Sequence, residues 1–239
     1  PEGYAVQLDQ PLDFYAVTDH AEYLGGLTTL SNPEHPLFNT AIQLGILDES
    51  TVVERGRSHP DAGSFVAENI TQRELRDAWQ HVVDAAQRHY EPGEFTTFIG
   101  YEYTSFRDAG NLHRNVIFGS EQVPVDIFGR IQSFNPEDLW RWMDEQRGRG
   151  MRLLSIPHNS NGSDGWMFQD VEWDGTPIDT EYASLRNRNE PLVEITQVKG
   201  TSETHPFLSP NDEWASFEIF PFRVASWLKS RPRGSYVRD

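Results

Sequence analysis

Five short apolar, β-rich runs dominate what this 239-residue chain can fold into. They are Leu12 to Thr18 (LDFYAVT), Phe95 to Thr104 (FTTFIGYEYT), Leu112 to Phe118 (LHRNVIF), Met151 to Ile156 (MRLLSI) and Leu192 to Val198 (LVEITQV). Their length and their β-branched and aromatic content favour strands over helices. Two helical patterns lie between them. From Thr71 to Tyr90, Leu75, Trp79, Val82, Val83 and Ala86 follow helical spacing behind a Thr71/Glu74 capping box, and Pro92-Gly93 ends the run. Asn135-Pro136 opens the second, with Glu137 and Asp138 in its first turn. Leu139, Trp140 and Met143 would face inward, and Gly150 closes it. Apolar strands alternating with helices predict an α/β fold with a parallel sheet or a barrel. Residues 31–66 and 159–190 are polar and rich in Asn, Gly, Asp and Pro, and are expected to be long functional loops or lids.

The formal net charge of −17 offers no basic footprint for nucleic acid and disfavours an anionic membrane surface. It does not exclude an anionic substrate, because bound divalent metals can dominate the field inside a site. The absence of cysteine removes disulfides, thiolate metal sites and Cys nucleophiles together, and suits either an exported or a cytosolic protein. No run approaches the roughly 18 apolar residues of a membrane helix, and no signal peptide is visible. Seven Trp residues supply core material. Trp79, Trp140 and Trp142 belong to helices and should pack inward, whereas Trp166 and Trp173 are candidates for a substrate wall.

Ligand-type residues gather near strand ends. The first strand runs into Asp19-His20, the second carries Glu102, the third begins beside His113, and the fourth runs into His158. Neutral imidazole and carboxylate suit zinc, manganese or iron with no sulfur required. Paired metals roughly 4 Å apart generate a hydroxide nucleophile and stabilise the leaving oxygen. Taken singly, each His is an ordinary hydrogen-bonded residue. Glu102 is more telling, since a carboxylate in an apolar strand is costly unless paired with a metal or a cation. The plain alternative is an ion pair with Arg114 or Arg107. For Asp19 it is a loop cap or Asx turn.

VTDHAEY, IGYEYT, NLHRN and IPHNSN, in that order, resemble the motifs of the polymerase and histidinol phosphatase (PHP) superfamily. The resemblance is closest to its DUF3604 branch and runs from about residue 10 to about residue 205. It implies a distorted (β/α) TIM-like barrel holding two or three divalent metals (Zn, Mn or Fe) at the strand ends. His20, Glu102, His113 and His158 match metal ligands, with Glu102 as the bridging carboxylate. Asp19 would be a ligand or would orient an imidazole. Glu102 and His113 are the candidate catalytic residues, and Asn159, Lys199 and Glu203 the candidate substrate-binding ones. The superfamily's opening His-x-His and closing Asp-x-His pairs are absent, so residues 1–239 are expected to be a single PHP-like domain, incomplete at both ends.

The resemblance further implies hydrolysis of a phosphoester or phosphonate ester by a metal-activated hydroxide. The partner is a small anionic molecule, and the location periplasmic or exported. Two rival readings stand beside it. A glycoside hydrolase would use two carboxylates roughly 5–10 Å apart, with Glu102 and Glu194 as the pair. A non-catalytic carbohydrate-binding module would hold no metal. His35, His59, His81 and His89 are read as bystanders, and His205 and Glu194 as weaker candidates for the site.

Overall fold

The computed structural model describes residues 8–47, 62–224 and 226–239. In chain order the elements are β1 (Phe14–Ala16), α1 (Gly26–Leu30), α2 (Phe38–Gln43), α3 (Ala62–Asn69), α4 (Gln72–Arg88), β2 (Thr96–Tyr103), β3 (Phe106–Arg107), β4 (Gly110–Asn111) and β5 (Arg114–Phe118). They continue with α5 (Pro136–Gly148), β6 (Leu153–Pro157), α6 (Thr180–Asn189), β7 (Thr196–Gln197) and β8 (Gly200–Thr201). His59 falls outside the described residues.

Four of the apolar runs form one open sheet of order β1-β2-β5-β6. β1 runs parallel to β2, and β5 runs antiparallel to both β2 and β6. The expected parallel barrel is therefore overturned: the sheet is mixed, and no closed barrel forms among the described residues. Chain length explains the reversal of β5. A parallel crossover needs a dozen or more residues. Only Thr104 to His113 separate β2 from β5, and this link is spent on the tight β3–β4 hairpin. The fifth run is also not a sheet strand. Within it only β7 is a strand, and β7 pairs with β8 in a separate two-stranded hairpin.

One face of the sheet is covered by α4 and α5. α4 is capped as its sequence predicts: Thr71 Oγ1 accepts from Glu74 N, and Thr71 N donates to Glu74 Oε2 at 2.8 Å. It packs Trp79 and Val83 onto Ile99, Tyr101 and Phe118. α5 is capped by Asn135, whose Oδ1 accepts from Glu137 N at 2.9 Å, and it buries Leu139, Trp140 and Met143 in the same cluster. The opposite face carries Phe14, Thr18, Phe98, Asn115, Ile117, Leu154 and Ile156 along an open groove of about 620 Å³. The apolar first run predicts a buried β1, yet Phe14 and Tyr15 are more than half exposed.

The two supposed long loops are partly regular. Residues 31–66 contain α2 and the start of α3, which build a small satellite core with α1 around Leu30, Ala41 and Val66. Residues 159–190 contain a 3-10 turn, Ser160–Gly162, and all of α6. The β3–β4 hairpin meets this segment closely. A Cβ on Gly110 would overlap the Ser163 carbonyl oxygen, a backbone atom that cannot yield cheaply. Gly110→Ala is therefore expected to lower unfolding free energy by about 1–3 kcal/mol, the usual cost of overpacking, measured by urea denaturation.

Candidate metal centre

Strand register places the centre. The β1–β2 pairing continues beyond β1: Glu102 N donates to Asp19 O at 2.8 Å, and His20 lies directly alongside Glu102. The β2–β5 register pairs Tyr103 with Arg114, which sets Thr104 opposite His113. The β5–β6 register pairs Arg114 with Pro157, which sets His113 opposite His158, and His158 N donates to His113 O at 3.3 Å. Directly paired residues, and residues two apart along a strand, share a face. His20, Glu102, Thr104, His113 and His158 therefore project together from one end of the sheet.

Three imidazoles converge on one carboxylate oxygen. His20 Nδ1 lies 3.2 Å and His158 Nε2 lies 3.5 Å from Glu102 Oε1, and His113 Nδ1 is in direct contact with the same atom. The His20 and His113 rings stand 5.8 Å apart, as do those of His113 and His158. His20, Glu102 and His113 each offer a ligand atom within 4.8 Å of the others, a group able to hold a metal ion. A carboxylate oxygen has lone pairs for about two hydrogen bonds, so three nitrogens exceed what protons alone can satisfy. A shared cation fits this donor set. Thr104, which the sequence reading missed, joins it: its Oγ1 is 2.5 Å from His20 Nδ1 and 3.4 Å from Glu102 Oε1. Its position two residues after Glu102, just past the end of β2, was the available signal.

The charges follow the geometry. Burial alone would raise the Glu102 carboxyl, but hydrogen bonds from His113, His158 and His20 outweigh it and hold it far below the usual carboxylate range. The hydrogen bond to Glu102 raises His20, partly against its burial. Burial lowers His113 despite the same carboxylate, which favours the neutral, ligating imidazole. The plain alternative for Glu102 fails. Arg114 pairs instead with Glu190 on the helix-covered face, Nε to Oε1 at 2.7 Å. Arg107 is sandwiched by Trp166 and Trp173 at 4.1 and 4.8 Å. Those two tryptophans thus both pack on an arginine. Among the described residues, Glu102's only basic partners are the three imidazoles.

The remaining candidates divide. Asp19 contributes its backbone carbonyl, while its carboxylate has no hydrogen bond or ion pair among the described residues and stands outside the ligand trio. Asn159 follows His158 in the left-handed region (φ 51°), and its N donates to Glu194 Oε2 at 2.9 Å. Asn159 Oδ1 accepts from Gln197 Nε2 at 2.9 Å and lies 3.5 Å from Lys199 Nζ. Asn159 and Lys199 thus border the centre, and Gln197 joins them. Glu203 does not: it is exposed and pairs with Arg238 at 3.5 Å. His205 packs on Tyr236, and His35 binds Glu74 beside the α4 cap.

At the end of this mixed α/β sheet, His20, Glu102 and His113 form a group able to hold a metal ion, with His158 alongside. The chain belongs to the family described as a protein of unknown function, DUF3604, whose model matches residues 1–239. No curated protein and no solved structure matches it.

Proposed function

We propose that this chain carries the metal centre of a hydrolase acting on phosphoester or phosphonate-ester bonds, within the wider PHP superfamily. The convergence of His20, His113 and His158 on Glu102 Oε1 is the observation that supports this most directly. His20, Glu102 and His113 would hold the cation, with His158 alongside. Divalent metal there supplies a lowered water pKa and neutralises developing negative charge on oxygen. The protein's own contribution is orientation. Glu102 remains ionised across the physiological range and keeps the imidazoles aimed at one point. Glu194 holds the backbone directly after His158 through Asn159 N.

The glycoside hydrolase reading needs Glu194 as the second carboxylate, and Glu194 is already engaged by Asn159 N and Gln197 Nε2. The decisive experiment is metal analysis of the purified protein, followed by a screen of phosphomonoesters, phosphodiesters and phosphonate esters before and after EDTA. EDTA is expected to abolish hydrolysis, and Mn²⁺ or Zn²⁺ to restore it. Glycosidase activity that survives EDTA would sink the proposal.

A further inference from the structure

We propose that Lys199 is the specificity-determining residue of this centre, selecting phosphomonoesters over phosphodiesters by binding a phosphoryl oxygen together with Asn159. The inference rests on the phosphoester reading above and names its substrate class.

The chain contains two lysines against eighteen arginines. One of the two stands at the border of the metal centre. Lys199 Nζ has one side-chain contact among the described residues, Asn159 Oδ1 at 3.5 Å, and no carboxylate partner. Asn159 directly follows His158, so this contact sets the ammonium beside the centre. An ammonium beside a site that gathers divalent cations repels those cations. The arrangement becomes favourable when an anion lies between them. Lysine suits that position because it is a point charge with three rotatable donors, matched to a single oxygen and not to a bidentate pair.

The surroundings are built rather than incidental. Lys199 sits at the turn between β7 and β8, and its carbonyl accepts from Asn161 Nδ2 at 3.0 Å. Asn161 is itself buried and tied to Ser202. Gly200, at φ 92°, presses so close to the Glu218 carbonyl that a Cβ would come within 2.5 Å of it. The hairpin is therefore pinned from both sides. Asn159 is 1% exposed, and its Oδ1 is engaged by Gln197 while its Nδ2 has no partner among the described residues. A buried donor without a partner is costly. Beside the ammonium it is a second donor for an anionic oxygen.

The chemistry of the substrate follows. A phosphomonoester at neutral pH is largely a dianion with three unesterified oxygens. Two can face the His20–Glu102–His113 centre while the third meets Lys199 and Asn159. A phosphodiester has only two such oxygens and one charge, so the lysine would face an esterified, uncharged oxygen.

The test uses the metal-loaded protein and its Lys199→Met and Lys199→Arg variants. Three readouts are taken: metal affinity by titration, binding of inorganic phosphate, and the ratio of kcat/KM for a phosphomonoester to that for a phosphodiester. Lys199→Met is expected to hold metal at least as tightly as the wild type, since a repelling charge is gone. Its phosphate affinity and its monoester/diester ratio should each fall roughly 10- to 100-fold, the range for a hydrogen bond to a charged group. Lys199→Arg should restore part of both. Unchanged phosphate binding with normal metal content would overturn this inference alone. A wild-type protein that takes up no metal would overturn the hydrolase reading, and this one with it.

Discussion

Replacing Glu102 by Gln is expected to remove metal binding and hydrolysis together while leaving the sheet in place. The substitution is isosteric and keeps one carbonyl oxygen, so the β2 backbone and its pairing with β1 and β5 are not disturbed. What is lost is the negative charge at the single point where three imidazoles meet. Removing even an outer partner of a metal ligand costs roughly 10- to 100-fold in affinity. Loss of the shared carboxylate should cost more than that. Titration with Mn²⁺ or Zn²⁺ measures the effect directly. His158→Ala is a graded comparison, because His158 stands nearby but outside the trio whose ligand atoms lie within 4.8 Å of one another. It should weaken metal binding less than Glu102→Gln does. Wild-type metal affinity in Glu102→Gln would remove the basis for the centre.

The sequence made this centre more legible than the fold around it. His20, Glu102, His113 and His158 were singled out by the resemblance that VTDHAEY, IGYEYT, NLHRN and IPHNSN carry as an ordered set, and the strand register brings the four together. α4 and α5 were readable from their caps and their inward stripes. The direction of β5 was not taken from the sequence, although the short link from Thr104 to His113 already argued against a parallel crossover. α6 was missed because it lacks an apolar stripe: Tyr182 and Leu185 are its residues packed on the core, and its plainest signal is the Asp179 cap on Tyr182 N. The Asn159–Gln197–Lys199 arrangement depends on the positive φ of Asn159 and on a two-residue hairpin. Neither leaves a periodic trace. That Arg107 packs on both Trp166 and Trp173 likewise leaves no trace in the sequence pattern.

The second large effect is expected at Glu190, on the covered face of the sheet. Arg114 and Glu190 are each only 2% exposed at their side chains. Glu190 Oε1 accepts from Arg114 Nε and from Trp140 Nε1 at 2.9 Å, and Oε2 accepts from Arg186 Nε at 3.0 Å, so one carboxylate ties β5, α5 and α6 together. Glu190→Gln leaves the Arg114 charge buried without its counter-ion and turns an amide donor towards a guanidinium. It should lower unfolding free energy by about 3–5 kcal/mol near pH 7. Replacing both partners, Arg114→Met with Glu190→Leu, should recover most of that loss, since apolar packing can match a buried ion pair. The pH dependence separates charge from packing. Burial would raise Glu190, but Arg114 and Arg186 outweigh it and hold its folded-state pKa below the ordinary value of 4.5. A depressed carboxylate contributes stability that is present above its unfolded pKa and lost as pH falls through the folded one. The wild type should therefore lose stability below about pH 4.5, and the gap to Glu190→Gln should narrow there, because protonating Glu190 strands Arg114 in the same way. A gap that stays constant from pH 7 to the acid limit would assign the defect to packing instead. Because Arg114 follows His113 directly, loosening this pair should also weaken metal binding, at a site on the other side of the sheet.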